Sequence, residues 1–396
     1  MKKKFIIILA IVFCACSGKE VTITIEPMPS PAGPGSGEPY LFSDQSGQVF
    51  MSWIEHPDSV NFLKMAQWNA EGWTTPDTIM SGTDWFVNWA DYPQVVSGGD
   101  GKFIAHTLMK SGDDTFAYDV KIATCMNGTS WTPPVTLHDD GKQAEHGFVS
   151  MTPYKENAFI SWLDGRNTVS DDTTEHDDHG HHGEMTVRAA VVGYDGKKLS
   201  EWELDNRVCD CCQTTAAITD NGPVVIYRDR SENEIRDISI VRFVNDQWTT
   251  PQPVYQDGWE INGCPVNGPR CEAMGNTLVI AWFTMAGDTP AVNVVFSSDG
   301  GASFGTPIRV AQGSTIGRVD VVLLDEESAL ISWMEGSEIK VTTVFEKGTM
   351  GVPTLVASSS ESRSSGFPQL TKCAGGVMMA WTDAETKTIK TAILRL

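Results

Sequence analysis

The residues best equipped for chemistry are four cysteines: Cys209, Cys211 and Cys212 in a C-x-C-C array, and Cys264 further along the chain. Closely spaced thiolates can converge on one soft or borderline ion such as zinc or copper. In an oxidising compartment the same sulfurs can close a disulfide, Cys264 with one of the three, and that is the first expectation. A second group is His176, His179, His181 and His182 within the acidic run 171–184. Its imidazoles suit zinc or copper and its carboxylates calcium, although a solvated loop or a lid over the site is the competing reading. No cofactor is otherwise required. Arginines form the third group: Arg228, Arg230 and Arg236 in one short stretch, with Arg166, Arg188, Arg270 and Arg318 elsewhere and Asn267 beside them as a polar contact. Guanidinium forks can clamp a carboxylate or another anion, but with so many acidic neighbours they can equally build an internal salt-bridge lattice. For acid–base work the candidates are Glu145, Asp229, Glu234 and Asp237, with Asp164 nearby, since glycoside hydrolysis needs two carboxyl groups facing one bond.

These residues sit in a chain of 396 residues with 29 Lys+Arg against 51 Asp+Glu, a net charge of −22. That balance excludes a nucleic-acid partner, which is held largely by basic side chains. It leaves room for a carbohydrate or other anionic small ligand in a local basic pocket, and for a protein partner. At 41% hydrophobic residues the chain is rich enough to bury a sizeable core.

The first residues combine Lys2–Lys4, an apolar run from Phe5 to Phe13, and Ala15 before Cys16. The run is too short for a membrane span and reads as an export signal. It resembles a bacterial lipoprotein signal, which implies cleavage after residue 15, lipidation of Cys16 and attachment to a membrane of the cell envelope, at the outer membrane or cell surface. The expected division is a signal peptide over 1–15, a lipidated N-terminus with a strand and linker over 16–39, and a domain over 40–396, with a flexible stalk near 27–39.

One strand type recurs seven times: 48–55, 102–109, 157–164, 223–230, 277–284, 328–335 and 377–384. Each is followed by a second strand, and six then show an outer segment: Trp73–Pro76, Trp131–Pro134, Trp202, Trp248–Pro251, Phe304–Pro307 and Gly351–Pro353. The seventh lacks this segment because the chain ends. Residues 21–27, an alternating stretch near the N-terminus, are free to complete it. The spacing, near 50 residues, predicts an all-β chain folded as a seven-bladed β-propeller of four-stranded antiparallel blades, closed by the N-terminal strand. A six-bladed sialidase-like propeller is the alternative. The 13 tryptophans then read as rings packed between blades.

With the repeat in view, Ser297-Ser-Asp299-Gly-Gly301-Ala-Ser-Phe304 resembles the Asp box of the sialidase and BNR-repeat superfamily, S-x-D-x-G-x-x-[W/F]. The resemblance implies a turn between third and fourth strands, away from the ligand face. It also implies an arginine triad for a sugar carboxylate, a Tyr–Glu nucleophile and an acidic proton donor. No [F/Y]-R-I-P motif precedes the first blade, and the catalytic set is not matched position by position.

Mapped onto a propeller, the unusual residues gather on the loops of one face around blades three to five. The leading expectation is a membrane-tethered sialidase-like propeller that binds an acidic glycan or related anion there, with hydrolysis open. The alternatives are a glycoside hydrolase proper, exo-sialidase-like, a non-enzymatic adhesion or scaffold protein, and a metal-handling lipoprotein.

Overall fold

The computed structural model describes residues 22–169 and 183–396. Seven antiparallel sheets succeed one another along the chain and close into a propeller: blade 1 over 36–82, blade 2 over 95–136, blade 3 over 146–205, blade 4 over 215–255, blade 5 over 270–312, blade 6 over 315–358, and blade 7 over 369–395. Blades 1 and 4 each carry an additional two-residue strand, Gly72–Trp73 and Gln247–Trp248. Blade 7 takes its outermost strand from the other end of the chain. Thr24–Met28 runs antiparallel to Thr388–Arg395, with Thr24 opposite Arg395 and Met28 opposite Thr391.

Each blade is covered on both faces by its neighbours, so its central strands read as continuous apolar runs. Val49–Glu55 and Thr277–Thr284 are buried along nearly their whole length. Strand register explains the tryptophans. The residue after the one that pairs with the innermost strand near the top of the blade is Trp53, Trp162, Trp282, Trp333 and Trp381 in five blades. His106 and Tyr227 take that position in blades 2 and 4. All seven are buried, and the Trp53, Trp162 and Trp333 indoles donate to an acidic residue two positions on, Glu55, Asp164 and Glu335. A large ring with one polar edge fills the space between blades and keeps its N–H satisfied.

Segment 297–304 forms the turn between the third and fourth strands of blade 5. Asp299 accepts from Ser297 Oγ at 2.7 Å and from the Ser303 backbone N–H at 2.9 Å. Gly301 lies at φ 81°, where a Cβ would come within 2.7 Å of Ile240. A side chain there would be strained by the left-handed backbone and would push against the Ile240 side chain of blade 4.

The stretch 27–39 is not a free stalk. Pro27 and Met28 end the closing strand, and Ser36 already pairs with Glu55 in the innermost strand of blade 1, which therefore starts at Ser36 rather than at 40. The Pro and Gly residues that suggest a linker instead build the short crossing from blade 7 to blade 1. Among the described residues, no helix is long and apolar enough to cross a membrane. The signal segment and Cys16 lie outside the described residues.

Candidate functional site

The face built by loops between second and third strands, and by the segments leading from blade to blade, carries the cysteines. Cys209–Cys212 lead into blade 4. Their turn is pinned before it by Val208 N–H to Met185 O and Cys209 N–H to Arg228 O, and after it by Thr214 N–H to Phe148 O. Gln213 adds a crossbrace, donating to Ala90 O and accepting from Gly268 N–H. So fixed, Cys209 Sγ lies 3.7 Å from Cys212 Sγ and 3.9 Å from Cys211 Sγ. All three sulfurs fall within 4.8 Å of one another. Cys264, on the segment leading into blade 5, neighbours Cys211, which holds the Cys264 thiol below the ordinary range. Cys209 and Cys212 are buried, Cys211 is partly covered, and Cys264 is exposed.

The expected disulfide is not formed: the seven described cysteines are free thiols. The C-x-C-C turn instead faces its own sulfurs toward one point. Arg236 Nη1 donates to Cys209 Sγ at 3.3 Å. Hydrogen bonds from Cys211 and Cys212, helped by the Arg228 charge, hold the Cys209 thiol well below the ordinary range despite its burial. A sulfur that is readily a thiolate beside two more thiols is a donor set for a thiophilic ion.

The arginines are engaged by the protein itself. Arg228 is 1% exposed and donates to the carbonyls of Arg236, Asn267 and Phe283, with its guanidinium 4.8 Å from the Trp259 ring. Arg230 and Arg236 both bind Glu234, at 2.8 Å each, and both approach Asp210. Arg166 forms a two-pronged pair with Asp164, and Arg188 binds Glu201 and Glu203. Arg318 donates to Ser365 and to the carbonyls of Glu361 and Gly366 and lies over Trp89. Asn267 accepts from the Arg318 N–H and donates to Ile316 O, so it stitches blade 5 to blade 6. The axial cavity, about 190 Å³, is lined by one of these arginines, Arg270, which is held by Asp320 at 2.9 Å and by Tyr92 Oη at 2.7 Å. Three guanidinium groups do not converge in that cavity; the internal lattice accounts for their positions.

The four carboxylates named for catalysis have separate duties. Glu234 clamps Arg230 and Arg236, while Asp237 accepts from Gly258 and Trp259 N–H and so anchors the segment leading into blade 5. Asp229 accepts from the Arg230 N–H and from Ser239 Oγ. Glu145 accepts from Tyr118 Oη at 2.7 Å. Burial, opposed by that hydrogen bond, pushes the Glu145 carboxyl up to about 7. A carboxyl with a raised pKa favours the fold below its unfolded value near 4.5 and loses that contribution as pH rises through about 7. Glu145→Gln is therefore expected to flatten the fall in stability between those limits, by on the order of 2 kcal/mol relative to the unsubstituted chain. Denaturant unfolding at pH 5 and pH 8 measures it; parallel profiles for the two proteins would refute the assignment.

Beside Glu145 lies a network of which the sequence reading named only Arg166 and Asp164. His138 and His146 stack with ring centroids 3.7 Å apart, and Asp140 Oδ2 meets His138 Nδ1 at 2.9 Å, His146 Nε2 at 3.1 Å and Arg166 Nη2 at 3.2 Å. One carboxylate oxygen thus gathers three basic groups. The two histidines and Asp140 fall within one short stretch of sequence, the available clue, but nothing in their spacing reveals the stacking. His176, His179, His181 and His182 lie outside the described residues, as does most of the 171–184 run.

No protein-family model and no curated protein matches the chain. Solved structures do. The chain resembles a polysaccharide lyase, Uly1, at TM-score 0.51 and 11% identity over 91% of this chain and 90% of that one. It also resembles a protein of unknown function from Dyadobacter fermentans, at TM-score 0.49 and 10% identity over 96% and 99% of the two chains. A Hadza microbial sialidase aligns at TM-score 0.40 and 11% identity over 76% and 63%. At such identities the first likeness speaks for the propeller fold alone.

Proposed function

We propose that this protein is a metal-handling propeller that holds a thiophilic ion through Cys209, Cys211 and Cys212 on its loop face, with Cys264 alongside. The observation that carries the reading is the sulfur geometry. Thiolates bound to one ion with bonds of about 2.3 Å stand about 3.8 Å apart in tetrahedral and about 4.0 Å apart in trigonal geometry. Two of the three pairs here stand 3.7 and 3.9 Å apart, and the third lies within 4.8 Å. The turn is preorganised by hydrogen bonds at both ends, so binding an ion does not first have to fold the site.

The same reading takes the N-terminal segment as an export signal and Cys16 as the lipid-bearing residue, which places the site in the cell envelope; the Lys2–Lys4, Phe5–Phe13 and Ala15-Cys16 sequence supports this. Membership of the sialidase superfamily rests on the 297–304 motif. An acidic-glycan ligand would have to compete for arginines that already have protein partners.

Elemental analysis of the mature chain, purified without a histidine tag under reducing conditions, tests the metal reading. We expect about one equivalent of a thiophilic metal in excess of that in a Cys209→Ser/Cys212→Ser variant, where the comparison subtracts any ion held by the histidine run. Replacing the metal with cobalt(II) should give a thiolate-to-cobalt charge-transfer band that the variant lacks. Equal metal content in the two proteins would sink the proposal.

A further inference from the structure

We infer that the ion for this site is monovalent copper, held by the three sulfurs of Cys209, Cys211 and Cys212, and that Cys264 is the ligand through which it enters and leaves. This rests on the metal reading above and adds the ion's identity and its route.

Ligand count and ligand type decide the ion. Structural zinc takes four protein ligands, whereas three thiols lie within reach of one point here; Cys264 is tied to the set through Cys211. Among the described residues, no histidine belongs to the cluster. The carboxylates of Asp210, within the array, and of Glu234 are both turned toward Arg230 and Arg236. Thiolates suit both zinc and Cu(I) but not calcium or magnesium, and a sulfur set that stops at three ligands fits soft Cu(I) rather than four-coordinate structural zinc. The Arg236 guanidinium donates directly to Cys209 Sγ and offsets part of the negative charge that three thiolates leave around a monovalent ion.

Exposure sets the route. Cys209 and Cys212 are each 1% exposed, so an ion bound to them is shielded from solvent thiols. Cys264 is exposed and neighbours the partly covered Cys211. An ion arriving on a donor's thiolates bonds first to Cys264 as a donor sulfur–copper bond breaks, then to Cys211 and the buried pair as Cys264 lets go. Copper stays Cu(I) throughout, and each protein thiol that binds gives its proton to solvent. Release runs the same exchanges backward.

The test uses the reduced mature chain without oxygen, with Cu(I) presented as its bicinchoninate complex and Zn(II) as the competing probe. The expected result is one thiol-dependent equivalent of Cu(I), bound at least a hundredfold more tightly than Zn(II) and able to displace it. Cys211→Ser should lose that equivalent. Cys264→Ser, altered at an exposed position, should keep stoichiometry and affinity within about threefold while transfer to bicinchoninate slows about tenfold. If thiol-dependent Zn(II) is bound and Cu(I) fails to displace it, copper specificity is wrong and the metal reading stands. If neither ion binds in a thiol-dependent way, both fall. Unchanged transfer rates in Cys264→Ser overturn the route.

Discussion

Replacing Arg228 by alanine is expected to destabilise the propeller by about 3–5 kcal/mol, one of the largest effects available from a single residue. The side chain is 1% exposed, and its charge is met by main-chain oxygens: Nη1 donates to Arg236 O at 2.7 Å, and Nη2 donates to Asn267 O at 2.9 Å and Phe283 O at 2.7 Å. Truncation strands these carbonyls without donors and opens a cavity beneath Trp259, which now covers the guanidinium. Because the three carbonyls belong to blade 4, the segment leading into blade 5, and blade 5 itself, the loss falls on the seam between those blades. Arg228→Lys should recover part of it, since one ammonium reaches one or two of the oxygens and cannot reproduce the fork. Denaturant unfolding checks the size. An arginine kept for clamping a ligand would instead leave stability within about 0.5 kcal/mol when removed.

The second large effect concerns ring closure. Removing residues 16–30 is expected to cost roughly 5 kcal/mol or more and to make the protein self-associate. Thr24–Met28 makes five register pairs with the last strand, Ile23 is buried in the blade 7 core, and Glu26 pairs with Arg395. Without this strand, Thr388–Arg395 becomes an open edge with unpaired main-chain groups, a template for another chain. A milder probe keeps the strand: Ile23→Ala should cost about 2–4 kcal/mol without exposing the edge. Calorimetry and size-exclusion chromatography together check both variants, and a truncated protein that melts and elutes like the parent would show that the ring does not depend on its N-terminal closure.

The stability ranking also explains what sequence patterns could and could not convey. Buried central strands must be apolar along their whole length, so 157–164, 277–284 and 328–335 are legible as strands with the same limits that the fold gives them. The missing outer strand of the last repeat, with an unassigned alternating segment at the other end, likewise discloses the closure. The boundary near Ser36 was less legible because proline and glycine look alike in a linker and in a tight crossing between paired strands.

For the site, the clustering of thiols at 209, 211 and 212 is written in the chain, since a turn of that length cannot carry its sulfurs far apart. Whether they oxidise, disperse or converge is a matter of which carbonyls and amides pin the turn, and those come from Met185, Arg228 and Phe148, distant in sequence. The arginines show the reverse case. Their abundance invites an anion clamp, yet a guanidinium's use depends on whether acceptors from other blades reach it first. Glu145 belongs with them: its identity is local, but its raised pKa comes from burial and from Tyr118, a residue of the preceding blade.

Thus the sequence by itself determined the all-β repeat, the seven blades, the closing strand and the presence of a thiol-rich turn, because each depends on periodicity or on neighbours along the chain. Tertiary structure alone decided that the arginines brace blade seams and that the cysteine sulfurs stand 3.7 and 3.9 Å apart as free thiols, because both depend on atoms that only the closed ring brings within hydrogen-bonding reach.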